Sequence, residues 1–336
     1  MAKFKVAING MGRIGRTILR EWINREIDEF DIVAVNNPGK MKSHAHLVKY
    51  DSVHGVFKGE VRLDDDILTV KGRKVKFYKI KKPDEIPWSD QEVDIVIDGT
   101  GVFKDQEKLS GHLGGTVKKV IMCAPGKDLD ATFVMGINNQ EYKPGEHHIV
   151  SNASCTTNCL APVAKVLHEK FGIESGLMTT IHAYTGDQNI LDASHRDYRR
   201  GRAAALSMIP TTTGAAKALG LVIPELLGKM DGYAVRVPTA DVSMVDLTVC
   251  LEKEATVEEI NDAMMEYSKE QLKGVLGYND LPLVSIDFTG TRESSIFDAG
   301  MTNVLGKTAK IVAWYDNEVG FSNRVLDLAA YMGARL

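Results

Sequence analysis

Cysteine is scarce in this chain: four among 336 residues, Cys123, Cys155, Cys159 and Cys250. So few thiols exclude a disulfide-stapled scaffold, and each is expected to be reduced and to need its own explanation. Long apolar runs are also missing, and none approaches the roughly 20 residues that a membrane-spanning helix requires. Internal repeats, low-complexity tracts and Pro/Ser-rich linkers are absent too, so neither an array of repeats nor a disordered chain is expected. Neither sign of charge dominates: 41 Lys and Arg face 45 Asp and Glu, a formal charge of -4. That balance argues against nucleic acid as the main partner. The stretch Met1 to Asn9 is strand-like and lacks the charged-then-apolar layout of a secretory leader. A cytoplasmic protein with no membrane partner is the expectation. What is present is ordinary globular material, 44% hydrophobic and 26% charged, enough for a large core and for about two domains.

The first half alternates short apolar runs with helical periodicity. Phe4 to Ile8 reads as a strand, and apolar residues three or four apart from Ile14 to Ile27 read as a helix burying one face. Asp31 to Val35, Val93 to Ile97 and Lys119 to Met122 are further strands. This alternation favours an α/β unit with a parallel sheet. After Ser151 the pattern changes. A helix is expected from Ser154 to Lys170, then strands at Gly176 to Tyr184, Tyr233 to Val237 and Ser243 to Leu251. A charged helix follows over Glu254 to Leu272, and a last helix over Phe321 to Met332. Long strands with few helices suggest an α+β unit whose sheet is mixed and largely antiparallel. The expected division is 1–153 plus a returning terminal helix at 321–336, with 154–320 as the second domain.

Gly10-Met11-Gly12-Arg13-Ile14-Gly15 fits the pattern G-x-G-x-x-G between a strand and an amphipathic helix. In that context glycine permits a tight turn and close approach to a pyrophosphate, whose charge the helix N-terminus favours. A dinucleotide is therefore expected here, with a plain tight turn as the alternative. About 20 residues on, an acid usually binds the ribose 2′-hydroxyl. Asn36-Asn37 stand there instead, and an amide at Asn37 does not repel a 2′-phosphate as a carboxylate would.

Cys155 opens the helix that begins Ser154-Cys155-Thr156-Thr157-Asn158-Cys159. A helix N-terminus lowers a thiol's pKa. Core packing, half of a metal site and a nucleophile with a passive neighbour are all open readings. No second Cys or His pair lies at zinc spacing, so no metal is expected. Cys123 and Cys250, in apolar strands, are expected to be packed thiols. His182, ending the strand Thr179-Thr180-Ile181, is either a structural histidine or a base for a thiol adjacent in space.

Taken together, Ile8 to Arg16, Ser151 to Cys159, His182 to Asp187, Pro210 to Lys217 and Trp314 to Gly320 resemble glyceraldehyde-3-phosphate dehydrogenase. The similarity runs from residue 3 to about residue 332 without large gaps. It implies a Rossmann-type doubly wound domain plus a catalytic domain, and NAD or NADP as cofactor. It implies Cys155 as nucleophile and His182 as its base. Thr185 and Arg236 would hold the phosphate of glyceraldehyde 3-phosphate, and Ser154, Thr156, Thr213 and Gly214 would hold inorganic phosphate. Toward the cofactor, Gly10, Gly12, Arg13, Ile14 and Gly15 would meet the pyrophosphate and Asn317 the nicotinamide carboxamide. Thr100 and Cys123 fall where the family lines the strand ends, and Lys81 where an adenosine-side arginine is common. Many members carry Asp at Asn37 and Leu-Pro at Ala193-Ser194. Ala193-Ser194 looks like the NADP-using chloroplast branch, in which that serine bonds the 2′-phosphate, so dual NAD and NADP use is expected. A homo-oligomer, a tetramer, is implied as well. The rivals are erythrose-4-phosphate dehydrogenase, which tends to lose the motifs standing here as Tyr184-Thr185 and Thr213-Gly214, and a nucleotide-sensing protein that has lost the chemistry.

Overall fold

The computed structural model describes residues 3–336, which divide into two compact units. Among them the first comprises 3–133, 139–153 and 322–336, and the second 134–138 and 154–321.

The first unit carries β1 (Phe4–Asn9), α1 (Arg13–Asn24), β2 (Phe30–Asn36), α2 (Met41–Lys49), β3 (Tyr50–Asp51), β4 (Gly55–Val56), β5 (Val61–Asp64), β6 (Ile67–Val70) and β7 (Arg73–Tyr78). It continues with β8 (Ile95–Asp98), α3 (Gln106–Leu109), β9 (Lys119–Met122), β10 (Ala131–Thr132) and β11 (Ile149–Ser151). Nine strands form one sheet in the order β10-β11-β9-β8-β1-β2-β7-β6-β5. The pairings from β10 to β7 are parallel, while β6 and β5 add an antiparallel edge. Strand β1 sits between β2 and β8, so the chain winds outward from it in both directions. In such sheets ligands bind beyond the carboxyl ends of the strands at this point of reversal. Val6, Ala7 and Ile8 are fully buried, as expected of a parallel strand covered on both faces. Helix α1 turns Ile18, Leu19, Trp22 and Ile23 inward. It stops at Asn24, short of the expected Ile27, because Glu26 adopts a left-handed φ of 54°.

The second unit carries α4 (Cys155–Phe171), β12 (Ile173–Ala183), β13 (Ile209–Thr212), β14 (Met230–Val237), β15 (Ser243–Leu251) and α5 (Val257–Lys269). Then come β16 (Leu276–Asn279), β17 (Ser295–Asp298), β18 (Asn303–Leu305), β19 (Thr308–Tyr315) and α6 (Val319–Gly333). Its sheet runs β13-β14-β12-β15-β19-β17-β16, with β18 beside β19. Only β12/β14 and β16/β17 are parallel; the other pairings are antiparallel. Helix α4 lies on β15, β17 and β19. Helix α5 is shorter than the expected 254–272, because Thr256 and Glu259 close a reciprocal cap at its start.

From Ser322 onward α6 belongs to the first unit. Asn323 and Asp327 receive Arg25, the latter as an ion pair of 2.8 Å, and Asn323 also donates to Glu21 at 3.2 Å. No helix among the described residues is long and apolar enough to cross a membrane.

Candidate active site

In the first unit the glycine turn joins β1 to α1. Gly10 has φ of 97°, and a Cβ there would stand 2.7 Å from the Thr100 nitrogen. A Cβ on Gly15 would stand 1.9 Å from the Gly10 oxygen, whereas one on Gly12 would meet nothing within 4 Å. Two glycines thus let backbone pack on backbone, and the third leaves open space over a helix start that no side chain caps. A cavity of about 370 Å³ opens beside this turn, lined by residues that include Gly10, Gly12, Asn37, Lys81 and Thr100. The residues fit a dinucleotide: a bare helix end for the pyrophosphate and a polar wall beyond it.

Arg13 turns its guanidinium to Asp51 in a two-pronged pair of 3.0 and 3.1 Å. Burial pulls the Asp51 carboxyl upward, but the His54 and Val53 backbone N–H groups and Arg13 outweigh it and hold the group at about 2. The Arg13 guanidinium is thereby held on Asp51. Ile14 lies in the same first turn. Thr100 donates its hydroxyl to Asp98 at 2.7 Å. Asp98 in turn belongs to a buried network that sequence reasoning missed. Asn9 donates to it at 2.8 Å, and Trp88 donates to His112 Nδ1 at 3.1 Å, which leaves His112 Nε2–H facing Asp98 at 3.3 Å. A polar Asn9 closing an otherwise apolar strand was the available signal. Cys123 follows β9, and burial pushes its thiol well up.

The second unit assembles the thiol and its neighbours. Ser154 caps α4, its hydroxyl accepting from Thr157 N–H at 3.0 Å. Cys155 is the next residue, so its Sγ sits at the helix start, 3.5 Å from His182 Nε2. His182 arrives by strand alternation: Met178, Thr180 and His182 are the inward side of β12. Its Nδ1–H donates to Ala183 O at 2.7 Å, which leaves Nε2 as a lone-pair acceptor aimed at the thiol. Tyr315, a second residue missed from sequence, packs edge-on against the imidazole at 5.9 Å. Its hydroxyl bridges Thr156 and Thr180 at 2.9 and 2.8 Å. Tyr315 had stood in view within the motif from Trp314 to Gly320.

The parallel register sets Arg236 of β14 directly beside His182. Its Nη1 donates to Thr185 Oγ1 at 2.7 Å and to Gln188 at 3.4 Å. Arg236 Nε and Gln188 Nε2 are buried without a protein acceptor. Two orphaned donors, one on the half-buried guanidinium and one beside it, fit an anion such as phosphate. Thr213 Oγ1 accepts from Ala215 N–H at 3.2 Å, and a Cβ on Gly214 would meet nothing within 4 Å. Asn317 accepts from the Ser243 hydroxyl at 2.7 Å. Ser194 is exposed on the loop between β12 and β13.

Two expectations are corrected. Burial raises the Cys155 thiol, and it outweighs the lowering by Arg236 and by Thr156 at the helix start. Burial first, then the Arg236 charge, lowers His182 to about 3. Burial thus works against the charged form of each partner, thiolate and imidazolium alike. Cys250 is not core: it lies on the outward side of β15, whose buried positions are 243, 245, 247, 249 and 251, and it faces Glu174 at 3.5 Å. Cys159 is fully buried, on Ser295 at 3.5 Å, and burial pushes its thiol far up.

A glycine turn fit for a dinucleotide and a thiol–imidazole pair beside a half-buried guanidinium mark the class: a dinucleotide-linked oxidoreductase. The family description "Glyceraldehyde 3-phosphate dehydrogenase, NAD binding domain" matches residues 4–106, and "Glyceraldehyde 3-phosphate dehydrogenase, C-terminal domain" matches 154–317. The chain is 54% identical to glyceraldehyde-3-phosphate dehydrogenase 1 of Bacillus cereus, over 98% of this chain and 99% of the relative. It is 54% identical to glyceraldehyde-3-phosphate dehydrogenase 2 of Trichormus variabilis, over 97% of each. With the chloroplastic glyceraldehyde-3-phosphate dehydrogenase A of Chlamydomonas reinhardtii the identity is 53%, over 97% of this chain and 88% of the relative. The chain belongs to the glyceraldehyde-3-phosphate dehydrogenase family.

Proposed function

We propose that this chain oxidises D-glyceraldehyde 3-phosphate, with inorganic phosphate, to 1,3-bisphosphoglycerate through a thioester on Cys155, using NAD or NADP. The observation that carries the reading is the 3.5 Å approach of Cys155 Sγ to the bare Nε2 of His182, beside Arg236 with its buried unpaired Nε. As Sγ bonds to the aldehyde carbon, the thiol proton passes to His182 Nε2 and returns to the carbonyl oxygen, giving a neutral thiohemiacetal. Bound oxidised nicotinamide supplies the acceptor for the hydride that leaves that carbon. His182 takes the hydroxyl proton as the hydride departs, and the C–O bond closes to a thioester. Phosphate then attacks the acyl carbon; the C–S bond breaks, and the thiolate regains a proton from the imidazolium.

Arg236 and Thr185, with the Gln188 amide, anchor the phosphate of the aldehyde. Ser154, Thr156, Thr213 and Gly214 supply hydroxyls and backbone N–H groups for the attacking phosphate. Gly10, Gly12, Arg13, Ile14, Gly15, Lys81, Thr100 and Cys123 belong to the dinucleotide's side. Asn317, its oxygen held by Ser243, offers its amide N–H to the carboxamide. Asn37 lines the cavity without a carboxylate, which supports admission of NADP, and by resemblance Ser194 is the second position tolerant of the 2′-phosphate. A homotetramer is the assembly proposed, supported by the outward side of the second unit's sheet, where Leu177 and Tyr233 are 69% and 53% exposed.

Steady-state kinetics with each cofactor and each aldehyde test the reading. Reduction of the cofactor must require both phosphate and glyceraldehyde 3-phosphate. Cys155→Ser must abolish it while dinucleotide binding persists. Turnover without phosphate, a faster rate with erythrose 4-phosphate, or an active Cys155→Ser would refute it.

A further inference from the structure

Asn37, which lines the dinucleotide cavity, belongs to a closed ring of hydrogen bonds that the glycine pattern does not require. Met11 N–H donates to Asn37 Oδ1 at 3.1 Å. Asn37 Nδ2 lies 2.8 Å from His44 Nε2, and His44 Nδ1 lies 3.1 Å from Met11 O. One assignment of hydrogens satisfies all three contacts. The Met11 carbonyl can only accept, so His44 Nδ1 carries the hydrogen and Nε2 accepts from the Asn37 amide. The imidazole is therefore neutral, in keeping with burial, which lowers it, and with the charge of Arg16, which acts the same way against the pull of the Met11 carbonyl.

His44 is enclosed from several elements. Arg16 of α1 donates to the same Met11 carbonyl at 2.9 Å, and Phe77 of β7 packs 6.0 Å from the imidazole. Gly39 gives the pair its room: a Cβ there would stand 2.6 Å from His44 Nε2 and 3.0 Å from Asn37 Nδ2. Within the ring Asn37 spends its oxygen on the glycine turn and one amide hydrogen on His44. Its remaining amide hydrogen is an uncharged donor at the cavity wall, which suits a ribose hydroxyl and a 2′-phosphate alike.

We propose that His44 is the positioning residue that sets dinucleotide specificity: it locks the Asn37 amide donor-outward and so keeps the cavity open to 2′-phosphorylated dinucleotide. The proposal rests on the cofactor reading above. It implies a coupling between positions 37 and 44. A carboxylate at 37 would still accept from Met11 N–H, but its second oxygen would face the lone pair of Nε2. His44 must then take up a proton to bond it, and the imidazolium cancels the carboxylate's charge. Rejection of a 2′-phosphate by Asn37→Asp thus depends on the protonation of His44.

The quantity to measure is kcat/KM for NADP divided by that for NAD, with glyceraldehyde 3-phosphate and phosphate. His44→Leu lowers the ratio about fivefold, the size of one lost hydrogen bond, through the KM of NADP rather than through kcat. Gly39→Ala moves it the same way without removing either partner, and His44→Gln, whose carbonyl can accept from Asn37, restores part of it. Asn37→Asp lowers the ratio about tenfold or more near pH 8 and recovers as the pH falls toward about 6, where a histidine paired with a carboxylate is protonated. Asn37→Asp with His44→Leu stays low at both, which separates the effect from titration of the 2′-phosphate itself. A ratio unmoved by His44→Leu and Gly39→Ala overturns the proposal, as does an Asn37→Asp response to pH that His44→Leu leaves intact. Isothermal titration of the wild-type protein with each dinucleotide separates the two levels. Binding of neither overturns the cofactor reading and this proposal together; binding of both with a ratio insensitive to His44 overturns this proposal alone.

Discussion

His182 gives the fold a calculable sensitivity to acid. The folded chain holds the imidazole neutral down to about 3, because burial and the neighbouring Arg236 charge disfavour the imidazolium. The unfolded chain takes up that proton near 6.5. The stability that His182 contributes is therefore whole above 6.5 and is lost as the pH falls toward about 3. Linkage between those two values gives a loss of about 2 kcal/mol between about pH 7 and about pH 5. His182→Asn removes the titration and keeps a donor where Nδ1–H meets Ala183 O. It also removes the ring that packs on Tyr315, a cost that does not vary with pH. Urea denaturation followed by circular dichroism at the two pH values isolates the difference. The wild-type protein is expected to lose about 2 kcal/mol more than the variant on going to the lower pH. Equal losses in both proteins would show that burial and the Arg236 charge do not hold His182 neutral.

Arg236→Leu removes the guanidinium that donates to Thr185 at 2.7 Å. The preference for glyceraldehyde 3-phosphate over unphosphorylated glyceraldehyde should drop by about tenfold to a hundredfold, read as the ratio of kcat/KM values. Ser154→Ala leaves Thr157 N–H without its 3.0 Å acceptor and should lower the urea midpoint by the equivalent of about 1 kcal/mol. Gly15→Ala forces a Cβ to within 1.9 Å of the Gly10 oxygen. It should weaken dinucleotide binding by about tenfold or more in a calorimetric titration, because the turn must open.

Periodicity made the first unit's strands and α1 legible, since buried parallel strands are apolar throughout and a surface helix has one apolar stripe. What it missed follows from information that local pattern does not carry. The early end of α1 turns on one left-handed residue, Glu26. The start of α5 was in fact written as Thr256-Val257-Glu258-Glu259, a capping box. Cys250 looked like core because its strand neighbours are apolar; which side of β15 faces inward is decided by the odd-numbered residues as a set. Cys155 and His182 were visible as residue types, but their 3.5 Å approach depends on β12 lying beside α4's start, a tertiary fact. His44 carried no local signal, and Tyr315 stood in a motif that did not show its role, since each acts through a partner distant in sequence: Met11 for one, Thr156 and Thr180 for the other.

The assignment of 322–336 to the first unit has a consequence for the order in which the molecule can be completed on the ribosome. Domains generally fold as units while synthesis proceeds from the amino terminus. Here the opening 133 residues emerge first yet lack the helix whose Asn323 and Asp327 engage Glu21 and Arg25. A nascent chain halted after residue 321 would hold every segment of the thiol-bearing unit while the dinucleotide unit still waited for its closing helix. The part made first is finished last, so the early strands must stay competent for pairing through nearly the whole of translation.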